Sequence, residues 1–191
     1  MKDIAKYVYE MGQLKRVKRS GWWMVGITHP ESVAEHSFRV AIIGYILASL
    51  EGVDAQKVAT MCLFHDTAEA RINDPHRLVK RYLDVKQGEG LAASEQLERL
   101  PASIAESIAM LVHEYEGKES LESRVAHDAD ALECLIQARE YQVQGYSEVQ
   151  DWIDGSYAAL KTDSARKLAE ASLHVEPQEW WQGLKKIVTD K

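Results

Sequence analysis

The sequence predicts an all-α protein, and three observations carry that reading. Only 4 Pro and 11 Gly punctuate 191 residues. Apolar residues recur at helical spacing along most of the chain, and no run alternates apolar with polar residues for long enough to make a strand. Helices are expected near 3–17, 33–51, 54–70, 90–99, 102–116, 120–144, 147–160, 163–172 and 177–189. Ser32 and Glu35 form a capping box at the start of the second, each side chain bonding the other residue's backbone N–H, just before the apolar run Phe38, Val40, Ala41, Ile42, Ile43. Asp54 caps the third helix. Asn73-Asp74-Pro75-His76 reads as the turn that ends it, since the residue before a proline avoids helical geometry. Pro177 suits a first helical turn, and Trp180 and Trp181 are expected to pack the last helix onto the body.

No internal repeat, Gly/Ser-rich linker or shift in composition divides the chain. Residues 1–191 therefore read as one domain, with a core over about 10–145 and the helices of 147–189 packed on it. A chain of this length buries about 70% of its unfolded surface, enough for a core without staples. With 46% hydrophobic and 28% charged residues, it is not a disordered sequence. A formal charge of −7 argues against a nucleic-acid coat, whose affinity comes from positive charge. The longest uncharged apolar run, Val40 to Leu50, is about half of a membrane span, and the N-terminus carries no signal-peptide pattern, so no membrane partner is expected. Cys62 and Cys134 lie far apart in apolar stretches, as reduced thiols of a cytoplasmic protein do.

One constellation rises above this background. His36 lies one turn into the second helix, His65 and Asp66 are adjacent near the end of the third, and Asp130 lies inside the long helix, each embedded in apolar sequence. A buried carboxylate costs several kcal/mol unless it is paired or bound to a cation, and a divalent metal supplies that cation. Two imidazole nitrogens and two carboxylate oxygens suit Mn, Co, Fe, Ni or Zn, and an octahedral shell keeps two positions open for water and substrate. Spacing alone does not select this set. A histidine on an apolar helix face is more often a satisfied core residue, and the chain holds a second adjacent pair, His127-Asp128.

The ordered pattern is more specific. His36, then His65-Asp66, then Asp130 in an all-helical chain resembles the HD-domain metal-dependent phosphohydrolases over about residues 10–145. Within them the chain is most similar to the YfbR-like 5′-deoxynucleotidases. The carrying segments are 12–17 (Gly-Gln-Leu-Lys-Arg-Val), 19–22 (Arg-Ser-Gly-Trp), 30–37 (Pro-Glu-Ser-Val-Ala-Glu-His-Ser), 65–69 (His-Asp-Thr-Ala-Glu) with Asp74, and 129–132 (Ala-Asp-Ala-Leu). The resemblance implies an HD-type helical bundle. It makes Asp130 the fourth ligand and Asp128 a decoy rotated off the ligand face. It gives Glu69 the task of holding the attacking water or shuttling its proton, and Asp74 a share in proton handling and sugar contact. It also sets Arg19 on the phosphate and Trp22 on the sugar, where a rigid indole would exclude a 2′-hydroxyl. Two residues intervene between Arg19 and Trp22, and Trp23 is extra, so this segment departs from the family pattern. Lys80 and His76 are further substrate contacts beyond the turn, and His29, His113 and His174 are left as structural or surface residues.

The implied reaction is removal of the 5′-phosphate from deoxyribonucleoside 5′-monophosphates by a metal-activated water, in a protein whose relatives are often homodimers. Two other readings stand beside it. One keeps the metal and changes the substrate to a triphosphate, alarmone or cyclic nucleotide. The other is a helical interaction module in which the metal is only a staple, with no use for Glu69.

Overall fold

A computed structural model describes residues 1–184. Among them ten α-helices form: α1 (Lys2–Met11), α2 (Val33–Glu51), α3 (Ala55–Phe64), α4 (Glu69–Ile72), α5 (Val85–Leu97), α6 (Ala102–Gly117), α7 (Leu121–Val143), α8 (Gln150–Ala159), α9 (Asp163–His174) and α10 (Glu179–Gln182). Short 3-10 turns at Gly12–Lys15, Ser20–Val25, Val79–Arg81 and Ser147–Val149 join them. No strand forms among the described residues, and the all-α expectation holds.

The centre is a packed trio of α2, α3 and α7. On α2 the residues Val33, Val40, Ile43 and Leu47 fall at helical spacing on the buried side. The α2–α3 approach depends on Gly44, where a Cβ would meet Cys62 Sγ at 2.8 Å and Val58 Cγ1 at 3.2 Å. By length and composition α2 matches a bilayer span, but in this fold its apolar side packs the core. Helices α8 and α9 cover α7, and α6 closes on α3 and α7.

Local signals hold well. Ser32 Oγ accepts from Glu35 N, and the Glu35 carboxylate accepts from Ser32 N at 2.6 Å, completing the capping box. Asp54 accepts from Lys57 N at 2.9 Å. The 73–76 segment is a turn, with Asn73 at φ 63.

Several boundaries move. The first helix stops at Met11 and continues as a 3-10 turn, and α5 starts at Val85 behind an Asp84 cap. The third helix does not run through residue 70. It breaks after Phe64, where Thr67, Glu69 and Ala70 bond back three residues, to Phe64, Asp66 and Thr67 carbonyls, in place of the α-helical pattern. At the C-terminus Pro177 lies in a turn before the short α10, and the rest of the expected 177–189 helix falls largely outside the described residues. Trp180 is 77% exposed, so it does not pack α10 onto the body, whereas Trp181 is half-buried.

Candidate metal centre and active site

The capped first turn of α2 delivers His36, the break after α3 delivers His65 and Asp66, and the middle of α7 delivers Asp130. Both imidazoles are fully buried. His36 Nε2 lies 3.1 Å from Asp130 Oδ1 and 3.9 Å from Asp66 Oδ2, and His65 Nε2 lies 3.1 Å from Asp66 Oδ2. Three of the sequence-predicted ligands, His36, His65 and Asp66, thus converge on one another, and Asp130 joins them through His36.

The Nδ1 edges face the other way and are occupied. His65 Nδ1 meets the Cys62 carbonyl at 2.7 Å, and His36 Nδ1 meets Glu133 Oε2 at 2.5 Å. With acceptors on both Nδ1 atoms, a neutral ring keeps its proton there, which leaves Nε2 as the atom that can bind a cation. Each Nε2 is buried without a well-aligned hydrogen bond. Those two nitrogens and an Asp66 oxygen lie within 4.8 Å of one another, a spacing that one ion with bonds of about 2.1 Å can span. Unpartnered imidazole nitrogens converging with carboxylate oxygens fit a divalent cation. Tyr115 O–H donates to Asp130 Oδ2 at 3.3 Å, and its ring packs against His65 and His127.

The electrostatics are those of a charge cluster closed in low dielectric. Burial and Arg19 push His36 down, but Glu133 and Asp130 outweigh them and hold it up at about 10, so a cation at Nε2 replaces a proton there while the Nδ1 proton stays on the Glu133 side. Burial raises Asp66, yet His65 and Arg19 bring it down to about 2. Asp130 stays well below the carboxylate range because His36, His65 and Arg19 overcome its burial. Glu69 moves in the opposite direction. Burial, then the charges of Asp66 and Asp74, push it up to about 11.

Above the cluster opens a cavity of about 790 Å³, within the usual range for small-molecule sites. Arg19, Trp22, Asp66, Glu69, Asp74, His76, Lys80 and Asp130 line it, so every sequence-predicted substrate and catalytic residue reaches one space. Glu69 is only 5% exposed, and its Oε2 has no partner, which excludes a solvated helix charge. His76 Nδ1 is likewise buried and unpartnered. Asp74 is more engaged than expected: Ser20 donates to its Oδ2 from N at 2.5 Å and from Oγ at 3.0 Å. Trp22 is 2% exposed, donates Nε1 to Glu31 Oε1 at 3.1 Å, and stacks edge-on to Tyr141. Arg77, Lys118, Arg124 and Lys161 join Lys80 in the lining, and among the described residues none of these five forms an ion pair.

Of the second adjacent pair, His127 lines the same cavity and meets the Tyr115 carbonyl through Nε2 at 2.9 Å, whereas Asp128 is engaged elsewhere. Asp128 accepts from Lys161 N at 2.8 Å and from Thr162 N and Oγ1 at 2.7 Å each, so it fixes the start of α9 and faces away from the cluster. His29, His113 and His174 are exposed surface residues. Sequence reasoning missed Glu133, Arg39 and Glu31. The signal was present for two of them: Glu133 follows Asp130 by three residues and Arg39 follows His36 by three, the spacing that puts side chains on one helix face.

Known proteins share this fold and much of this sequence. Residues 11–172 match the family model described as an HD domain. The chain is 31% identical over 153 residues to a 5′-deoxynucleotidase of Dictyostelium discoideum, covering 75% of this chain and 80% of that one. It is also similar to the solved structure of a conserved hypothetical protein from Pyrococcus furiosus, at 30% identity and a TM-score of 0.72, over 90% of this chain and 99% of that one. The predicted metal-dependent phosphohydrolase of Magnetospirillum magnetotacticum shares the fold at a TM-score of 0.71 and 24% identity, over 90% of this chain and 92% of that one. The chain belongs to the HD-domain family.

Proposed function

We propose that the chain is a divalent-metal-dependent 5′-deoxynucleotidase, converting a deoxyribonucleoside 5′-monophosphate and water to the deoxynucleoside and inorganic phosphate. The observation that carries the reading is the arrangement of Glu69: an unpartnered carboxyl oxygen in the cavity lining, beside the converging His36, His65, Asp66 and Asp130. A relative 31% identical over most of both chains bears the same activity in its name.

His36, His65, Asp66 and Asp130 would hold a divalent ion, which would supply Lewis acidity toward a phosphate ester and its water. The other tasks belong to the chain itself. Arg19 presents a planar fork of N–H donors to the equatorial phosphate oxygens, where negative charge grows in the transition state. Glu69 holds the attacking water or shuttles its proton from its place in the cavity lining beside Asp66. Asp74 orients the Arg19 side chain through the Nη1–Oδ1 approach of 3.5 Å and is itself latched by Ser20. Lys80 and His76 stand on the far side of the turn as phosphate contacts. Arg77, Lys80, Lys118, Arg124 and Lys161 bring positive charge to a lining that also holds Glu89, Asp151 and the site's own acids, and they draw an anionic ester inward. Trp22 forms the sugar wall; its bond to Glu31 and packing on Tyr141 and Trp152 give it the rigidity that steric rejection of a 2′-hydroxyl requires.

The same reading places the chain in the cytoplasm, where the free thiols of Cys62 and Cys134 stay reduced. It assigns a second copy of the chain to the exposed stripe Phe38, Ile42, Tyr45 and Ile46 of α2. Sedimentation at micromolar concentration tests that assignment, and a monomer overturns it.

The deciding experiment is metal analysis of the purified protein followed by phosphate release from paired deoxy and ribo monophosphates, with and without chelator. Release from the deoxy esters that chelator abolishes, and that Glu69→Gln abolishes while metal content is kept, is the expected result. Turnover unchanged in metal-loaded Glu69→Gln would remove the mechanism. Pyrophosphate or triphosphate as the released product would move the substrate class instead.

A further inference from the structure

Two helices face each other across the His36 imidazole with the same spacing. On α2, Arg39 follows His36 by three residues; on α7, Glu133 follows Asp130 by three. One helix therefore grips both edges of a single ring, with Asp130 at Nε2 and Glu133 at Nδ1. Glu133 is fully buried, and its second oxygen is not free: Arg39 Nε donates to Oε1 at 2.9 Å and Nη2 approaches it to 2.8 Å. The remaining Arg39 donors run on along α7, Nη2 to Gln137 Oε1 at 2.7 Å and Nη1 to Glu140 Oε1 at 2.8 Å.

From this ladder we infer that Glu133, anchored by Arg39, is the positioning residue that fixes the His36 tautomer and makes its Nε2 a ligand. The inference rests on the metal-centre reading above and adds to it a carboxylate behind the ligand. The physical reason lies in donor and acceptor matching. An anionic Glu133 only accepts, so the proton of neutral His36 sits on Nδ1 and the Nε2 lone pair faces Asp130 and Asp66. Arg39 only donates, so it pins one Glu133 oxygen and leaves the other to the ring. Glu133 does not touch the reacting atoms; it acts through His36.

A substitution of nearly equal shape tests this. In Glu133→Gln, Arg39 still demands an acceptor, so the amide oxygen turns to Arg39 and the NH₂ group turns to Nδ1. That contact puts a donor where an acceptor stood, and the ring proton moves to Nε2, the atom needed for the metal. Zn²⁺ affinity, measured by competition with a chelating dye, is expected to fall about 10- to 100-fold, the range for lost outer-shell partners of a ligating histidine. Circular dichroism and thermal melting establish that the variant is folded. A second readout needs no variant: in the Zn²⁺-loaded wild type, ¹⁵N-edited NMR is expected to show His36 protonated at Nδ1, with that proton far downfield. Arg39→Gln frees the Glu133 anchor and is expected to weaken Zn²⁺ in the same direction. Folded Glu133→Gln that binds Zn²⁺ as tightly as wild type, or wild-type His36 protonated at Nε2, overturns the role of Glu133. Wild-type protein that binds no divalent ion overturns the metal centre itself, a separate and distinguishable result.

Discussion

Arg19 stands between Asp66 and Asp74, with its Nη1 3.7 Å from one carboxylate and 3.5 Å from the other. The side chain is 18% exposed, so one guanidinium joins the break after α3 to the 73–76 turn while leaving an edge open to the cavity. Neither acid is adjacent to it in sequence, and the pairing exists only because the 3-10 segment after Arg19 folds back against the turn.

Arg19→Lys keeps the charge and removes the fork. A lysine holds one point of contact where the guanidinium serves two carboxylates and the phosphate. The loss of a charged hydrogen bond, about 1.5–3 kcal/mol, corresponds to a fall in kcat/KM of roughly 10- to 150-fold, carried largely by KM. Steady-state kinetics on a deoxy monophosphate checks it, and an unchanged KM would assign phosphate binding to Lys80 and its neighbours.

Trp22→Phe removes the bond to Glu31 and thins the wall. The expected outcome is a deoxy-to-ribo ratio in kcat/KM lowered by roughly tenfold, about 1.4 kcal/mol, with metal content unchanged. Paired substrates measured side by side decide the matter. A ratio that does not move leaves Trp22 as a core residue only.

Glu31 gives a pH signature to the wall that Trp22 leans on. Burial first, then the charge of Glu133, raises its carboxyl from the ordinary 4.5 to about 7. Below pH 4.5 it is protonated whether the chain is folded or not, and its contribution is whole. Between 4.5 and 7 the unfolded chain releases the proton while the folded chain keeps it, so stability falls as pH rises, then levels off above 7. Glu31→Gln accepts the same indole N–H and lacks the titration. Thermal melts are expected to show the two proteins close together at pH 4.5 and the variant more stable at pH 8. Parallel curves would contradict this.

Asp128→Ala separates the decoy from the ligand. It leaves two backbone N–H groups and a hydroxyl at the α8–α9 junction without their acceptor, a cost of about 3 kcal/mol. Denaturant unfolding is expected to record that loss, while metal stoichiometry matches wild type. Asp130→Ala is expected to do the reverse, with metal lost and the α9 junction intact.

Much of this molecule was legible in its residues, and the illegible parts share a cause. Periodicity and caps found α2 and the starts of α3 and α7 because those signals are local, and Ser32, Glu35 and Asp54 do what their chemistry dictates. The break at His65–Ala68 was not legible, because Thr67 and Ala68 are unremarkable helix residues and the decision lies in the i→i+3 bonds and the Nδ1–Cys62 contact. The ligands were found through an ordered pattern of residue types. Glu133 shares a helix face with Asp130 by its i+3 spacing, but only the fold shows that this face meets the His36 imidazole.

The contact between His36 and Glu133 joins positions 97 apart. A chain still emerging, or truncated ahead of α7, would carry His36, His65 and Asp66 yet have nothing to turn the imidazole or close the fourth side. Cation capture is thus a late, all-or-nothing property of the finished architecture. Holding an ion would report, in one measurement, that the last central helix has docked.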